Sequence, residues 1–153
     1  KDVFFDVLGG SGVVLLADLN NEKILPIWIG IFEAQSIQFK LRNLKFERPL
    51  THDLFKNVIE ELGYKLEKVE IHDLKANTYY ARLILKSSRG KEKVIDSRPS
   101  DGIALALRFG SKIYISEKIY ENAKTPEEFE KNIKEEFYKR YLETVSDDEL
   151  KKA

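Results

Sequence analysis

The sequence predicts a single α+β domain: six to seven strands in a largely antiparallel or mixed sheet, three packed helices and a C-terminal helical tail. Three observations predict it. Runs rich in β-branched and aromatic residues fill 3–30 and much of 65–97, broken by Gly, Asn-Asn and Arg-Gly turn signals. Between and after these runs, apolar residues recur at three- and four-residue steps, the spacing of one helix face. Finally, the 153 residues hold no repeat or low-complexity linker, so one core is expected, in a domain over 1–120 with a helical extension over 121–153.

The elements follow in order. "VFFDVL" (3–8), "GVVLLADL" (12–19) and "KILPIWIG" (23–30) read as a three-stranded antiparallel meander. Pro26 has no N–H for a ladder, which places the third strand at an edge or at a bulge. Trp28 reads as core, with stacking on a base as its second reading. From Ile31 the period changes to that of a helix carrying Ile31, Ala34, Ile37, Gln38, Leu41 and Leu44 on one face, with Glu33 in the dipole-favoured first turn. A second helix runs through "LFKNVIEELGY" with Leu54, Phe55, Val58, Ile59 and Leu62 inward and Gly63 at its C′ position. Strands on both sides of Ala76-Asn77, then "KEKVIDSR" after Arg89-Gly90, make three more antiparallel strands. "PSDGIALALRFG" is a short third helix ending at Gly110, and "SKIYIS" is a last strand. Thr125-Pro126-Glu127-Glu128 then supplies an N-cap, a proline at N1 and early acids for a helix to about Tyr141, with Phe129, Ile133, Phe137 and Tyr141 as its stripe and one more capped turn at Ser146–Glu149.

Composition removes several function classes. There is no Cys, so disulfides, zinc ribbons and thiol catalysis are out. No stretch approaches the roughly 20 apolar residues of a membrane-spanning helix, and no basic-then-apolar leader is present, which points to a cytoplasmic protein. The Lys- and Glu-rich composition resembles that of a thermophile's protein. Lys+Arg and Asp+Glu both number 26, and this neutrality speaks against a strong non-specific nucleic-acid binder, which usually carries a basic domain.

Two stretches draw attention, "RPLTHDL" (48–54) and "DSRPSDGI" (96–103), because each sets Arg-Pro before a polar cluster that opens a helix. Thr51 and Ser100 read as N-caps, with Asp53 and Asp101 in the first turns. Capped helix entrances account for both stretches structurally. Chemically, helix N-termini bind anions and Arg48 and Arg98 offer bidentate grips on phosphate, so entrances that face one another would clasp a phosphodiester. His52 brings an imidazole, the side-chain type suited to proton transfer at neutral pH, and Asp53, Asp96, Asp101 and Glu33 suit acid–base work or a hard cation such as Mg²⁺ or Mn²⁺. His72 reads as a sheet-face residue. There is no Gly-rich phosphate loop, zinc-binding His-Glu-x-x-His or nucleophile elbow.

"ILPIWIGIFEAQSI", "RPLTHDLFKNVIEELG", "KVEIHDLKANTYYARLIL" and "IDSRPSDGIALALR", in that order, resemble the conserved regions of the bifunctional nuclease family over roughly residues 3–120. The resemblance implies a compact α+β domain, often a homodimer, hydrolysing DNA and RNA. The family's segments fall on Glu33-Ala34, on Pro49, Leu50, Thr51, His52 and Asp53, and on Asp96, Arg98, Pro99, Ser100 and Asp101. Gly102 stands where the family commonly has Ala and costs the helix up to about 1 kcal/mol of propensity.

Three readings therefore stand. One is a nuclease without sequence preference, with His52, Asp53 and Asp101 catalytic, Arg48, Thr51, Arg98 and Ser100 on the phosphate, and Glu33, Asp96 and Asp101 around Mg²⁺ or Mn²⁺. Another is a non-catalytic phosphate- or nucleotide-binding regulatory module, at a dimer interface for which the Ile37, Phe39 and Leu41 face is the expected place. The third is a scaffold whose motifs are caps and turns.

Overall fold

The computed structural model describes residues 2–6, 11–20, 22–136 and 139, the side chains of 2–6 and 11 excepted. Strands β1 (Asp2–Asp6), β2 (Ser11–Ala17) and β3 (Ile24–Gly30) form an antiparallel meander in that order. Pro26 lies on β3, an edge strand, opposite Leu15. Helix α1 (Ile31–Leu41) leaves β3 directly and covers the inner face of this sheet through the buried Ala34 and Ile37. The approach is close: a side chain at Gly12 would meet the Ala34 Cβ.

Helix α2 (Thr51–Glu61) precedes a second sheet built from β4 (Tyr64–Lys75), β5 (Thr78–Ser87), β6 (Glu92–Ser97) and, after helix α3 (Pro99–Phe109), β7 (Lys112–Ile115). Its order is β6-β5-β4-β7, with β7 parallel to β4 and the other pairs antiparallel. The seven strands thus divide between two sheets. Both are tied to one core, in which Val14, Ile27 and Ile37 join Val69, Ile71, Leu83, Ile103 and Leu105.

Left-handed residues close the turns. Ala76 and Asn77, at φ 48° and 60°, form the two-residue turn of the β4–β5 hairpin, and this pair of positive φ values matches the twist of the flanking strands. Gly110 ends α3 at φ 69°.

Helix α3 is the central element and is buried on nearly every side. A Cβ on Gly102 would stand 2.8 Å from Val69 Cγ1, so the glycine lets α3 press onto β4. What reads in the sequence as a loss of helix propensity is a packing requirement.

Several faces differ from expectation. On α2 only Ile59 is buried, while Leu54, Phe55, Val58 and the C-cap Leu62 are exposed; α2 packs mainly on α3 and β4. Ile37 has no exposed surface and Phe39 packs on Phe46, so of the Ile37, Phe39 and Leu41 face only Leu41 stands well exposed. Trp28 is 55% exposed and not part of the core. Beyond α4 (Glu117–Tyr120), Lys124 pairs with Ile24 through both backbone hydrogen bonds. Thr125 and Glu128 then form a reciprocal capping box that opens a helix, α5, over 126–136. Phe137, Tyr141 and the turn at 146–149 lie outside the described residues. No helix among the described residues is long and apolar enough to cross a membrane.

Candidate functional site

The N-termini of α2 and α3 meet. His52 on the first turn of α2 places Nε2 2.9 Å from Oδ1 of Asp101, on the first turn of α3. The second Asp101 oxygen accepts from Arg98 Nε at 2.9 Å, and Arg98 Nη2 donates to Glu33 Oε1 of α1 at 2.9 Å. Gly30 makes room at the start of α1, since a side chain there would collide with the Glu33 carboxylate.

The network continues inward on the other side of His52. Its Nδ1 lies 2.6 Å from Ser36 Oγ, and Ser36 Oγ also accepts from Arg108 Nη2 at 3.0 Å. Arg108 Nε donates to Asp53 Oδ1 at 2.7 Å, while Asp53 Oδ2 accepts the backbone N–H of Leu50 at 3.0 Å. Seven side chains from three helices are therefore joined in one chain: Glu33, Arg98, Asp101, His52, Ser36, Arg108 and Asp53.

Charge fixes the direction of these bonds. A guanidinium only donates and an ionised carboxylate only accepts. The His52 hydrogen bond, assisted by Arg98 and opposed by burial, holds the Asp101 carboxyl below its ordinary value, so Asp101 is ionised at neutral pH. His52 must then carry its proton on Nε2. In the neutral ring the Nδ1 lone pair accepts the Ser36 hydroxyl proton, while Arg108 occupies a Ser36 lone pair. For Asp53, burial alone would raise the pKa, but hydrogen bonds from Arg108 and Leu50 outweigh it and lower the value.

The remaining expected residues are placed as follows. The N-caps are Leu50 and Arg98, not Thr51 and Ser100: neither cap residue makes a side-chain capping bond, and Asp53 takes the Leu50 N–H instead. Thr51 is exposed at the first position of α2, and Ser100 is buried in α3. Arg48 is exposed and makes no hydrogen bond or ion pair among the described residues. Asp96 is exposed on β6, paired through its backbone register with Arg82, and its side chain makes no hydrogen bond or ion pair among the described residues. His72 stands at the register break of β4.

Glu33, Asp96 and Asp101 do not fit a cation as a set. Arg98 bridges Glu33 and Asp101, Asp96 joins neither, and among the described residues no group of three His, Asp or Glu is placed to hold an ion.

Ser36 and Arg108 escape the motif reading. Their signal is a polar residue on an inward stripe: Ser36 lies three residues after Glu33, and Arg108 lies seven after Asp101, so each shares a helix face with a motif residue.

A small α+β domain with an acid–base network strung across the junction of three helices is the class that fold and site define. Residues 14–128 match the bifunctional nuclease domain. An uncharacterized protein of Mycobacterium tuberculosis (strain ATCC 25618 / H37Rv) is 38% identical over 148 residues, covering 91% of this chain and 88% of that protein. Bifunctional nuclease 1 of Oryza sativa subsp. indica is 32% identical over 114 residues, 72% of this chain and 34% of the rice protein. Bifunctional nuclease 2 of Arabidopsis thaliana is 26% identical over 100 residues, 64% of this chain and 30% of the plant protein. The chain belongs to the bifunctional nuclease domain family, and it spans about a third of the length of these plant relatives.

Proposed function

We propose that the domain hydrolyses phosphodiester bonds of DNA and RNA without sequence preference. Family membership and the names of the plant relatives support the reaction class. The observation that carries the site is the meeting of the two Arg-Pro entrances, with His52 Nε2 2.9 Å from Asp101 Oδ1.

In this reading Arg98, whose side chain is 64% exposed, receives a phosphate oxygen, and Glu33 and Asp101 hold its orientation. Arg48 and the backbone N–H groups at Thr51 and Ser100 add weaker, screened attraction. Asp101 keeps the Nε2 proton on His52 and leaves Nδ1 to exchange protons. Water attacks phosphorus and gives its proton to Ser36 Oγ as the Ser36 proton moves to Nδ1. The bond from phosphorus to the leaving oxygen breaks, that oxygen takes a proton from solvent, and Nδ1 returns its proton to solvent. Asp53 acts through Arg108 and is a positioning residue. Since Asp96 does not join Glu33 and Asp101, which are both occupied by Arg98, no step runs through Mg²⁺ or Mn²⁺; comparing reactions in EDTA with reactions in either ion reads metal dependence directly.

The test is cleavage of single- and double-stranded DNA and of RNA by wild type, His52→Ala and Asp101→Ala purified identically. Both variants should lose about 100-fold or more. Equal cleavage by all three preparations overturns the proposal. The second reading, a phosphate- or nucleotide-binding regulatory module, is favoured by one observation: both His52 ring nitrogens are engaged and its side chain is only 13% exposed. Nucleotides that raise the melting temperature without turnover under any condition would select it. A homodimer is part of the same proposal, with the exposed Leu54, Phe55, Val58 and Leu62 of α2 as its surface. Val58→Glu should then convert a dimer to a monomer in light scattering.

A further inference from the structure

Beside the network lies an open cleft of about 270 Å³ whose lining includes Trp28, Asn77, Thr78, Tyr79, Arg98 and Ser100. Its wall is rigid: Trp28 stands on β3, and Asn77 and Thr78 belong to the tight β4–β5 hairpin. On β3, Leu25 and Ile27 alternate into the core while Trp28 turns outward, so nothing in the fold requires an indole there. Arg98 is shared with the network. Its Nε and Nη2 are held by Asp101 and Glu33, and Nη1 makes no hydrogen bond among the described residues.

A flat aromatic face beside an oriented guanidinium with a free edge matches the two ends of a nucleotide. We infer that this cleft seats one unpaired nucleotide, its base on Trp28 and its phosphate at Arg98, and that the domain therefore engages single strands in preference to duplexes. The inference rests on the phosphodiester reading for its class of ligand. Inside a duplex both faces of a base are covered by its neighbours, so a paired base reaches Trp28 only after unstacking and flipping out. Single-stranded DNA and RNA meet no such barrier, and stacking is tolerant of sequence because every base has a π-face.

Trp28 is the chain's single tryptophan, so intrinsic fluorescence reports on this one position. The His52→Ala protein, in which cleavage does not intrude, is titrated with a short oligothymidylate and with the same strand annealed to its complement. The single strand should quench the fluorescence saturably and the duplex should not. With a labelled strand followed by anisotropy, Trp28→Ala should weaken binding about tenfold, and its exposed position predicts an unchanged melting temperature. Absent quenching, equal quenching by the duplex, or an unchanged affinity in folded Trp28→Ala overturns the inference. Cleavage without quenching sinks the cleft alone; quenching without cleavage by wild type keeps the cleft and sinks the hydrolytic reading.

Discussion

At the entrance to α3, Arg98 is gripped by Glu33 and Asp101, whereas at the entrance to α2 Arg48 is exposed and bonds to no described residue. The acids diverge in the same way. Asp101 reaches across to His52 and Arg98, while Asp53 turns inward to Arg108, which is 4% exposed, and to the Leu50 N–H. Two stretches with nearly the same residues thus do different work, because α1 puts Glu33 opposite one entrance and α3 puts Arg108 behind the other. What an Arg-Pro entrance contributes depends on what stands opposite it. The α3 entrance faces solvent and a cleft; the α2 entrance is an anchor.

Arg108→Leu should break the comparison most severely. It leaves the Asp53 carboxylate with the Leu50 N–H alone and the Ser36 hydroxyl without the guanidinium, and should cost about 3 kcal/mol, a fall of roughly 6–12 °C in melting temperature by circular dichroism. Next, Arg98→Ala should lower cleavage about 100-fold, while Arg48→Ala stays within about threefold, because only Arg98 is held in a fixed orientation by described partners. Equal losses would erase the distinction between the entrances. Gly102→Ala should destabilise by about 1 kcal/mol in denaturant titration despite its better helix propensity, since Val69 Cγ1 stands 2.8 Å from the new Cβ.

Acid unfolding sharpens the same contrast. Asp53 and Asp101 have folded pKa values below the ordinary 3.8, so the folded state binds fewer protons. Their contribution is complete above that value and is lost as pH falls below it toward the folded values. Removing Arg98 takes away one cause of the Asp101 shift, so Arg98→Ala should flatten this acid limb, and Arg48→Ala should leave it unchanged. The smallest effect is that of Thr51→Ala, expected within about 0.5 kcal/mol because Thr51 is not the cap.

The elements were legible in the sequence because their signals are local. Alternation marked the strands, Ala76-Asn77 and Gly110 marked turns and ends, and Thr125 with Glu128 marked a helix start that the structure closes as a capping box. The division into two sheets was not legible, since it depends on β4 pairing with β5 and β7 rather than with the opening meander. The α2 stripe read as core because periodicity shows that a helix has an apolar face without showing what covers it. Trp28 misled for a related reason: an indole is usually buried, and a strand adjacent to a cleft is the exception. At the site, the motifs drew attention to His52, Asp101 and Arg98, but their convergence and the parts of Ser36 and Arg108 depend on contacts between residues as far apart as 72 positions.

If the proposed reaction holds, His52 and Asp101 act as one unit across the junction of the two entrances. A double-mutant cycle in nucleic-acid cleavage tests it most directly, with His52→Ala, Asp101→Asn and the pair. The double variant should lose no more than the worse single variant. Losses that multiply, or cleavage that survives both substitutions, would contradict it.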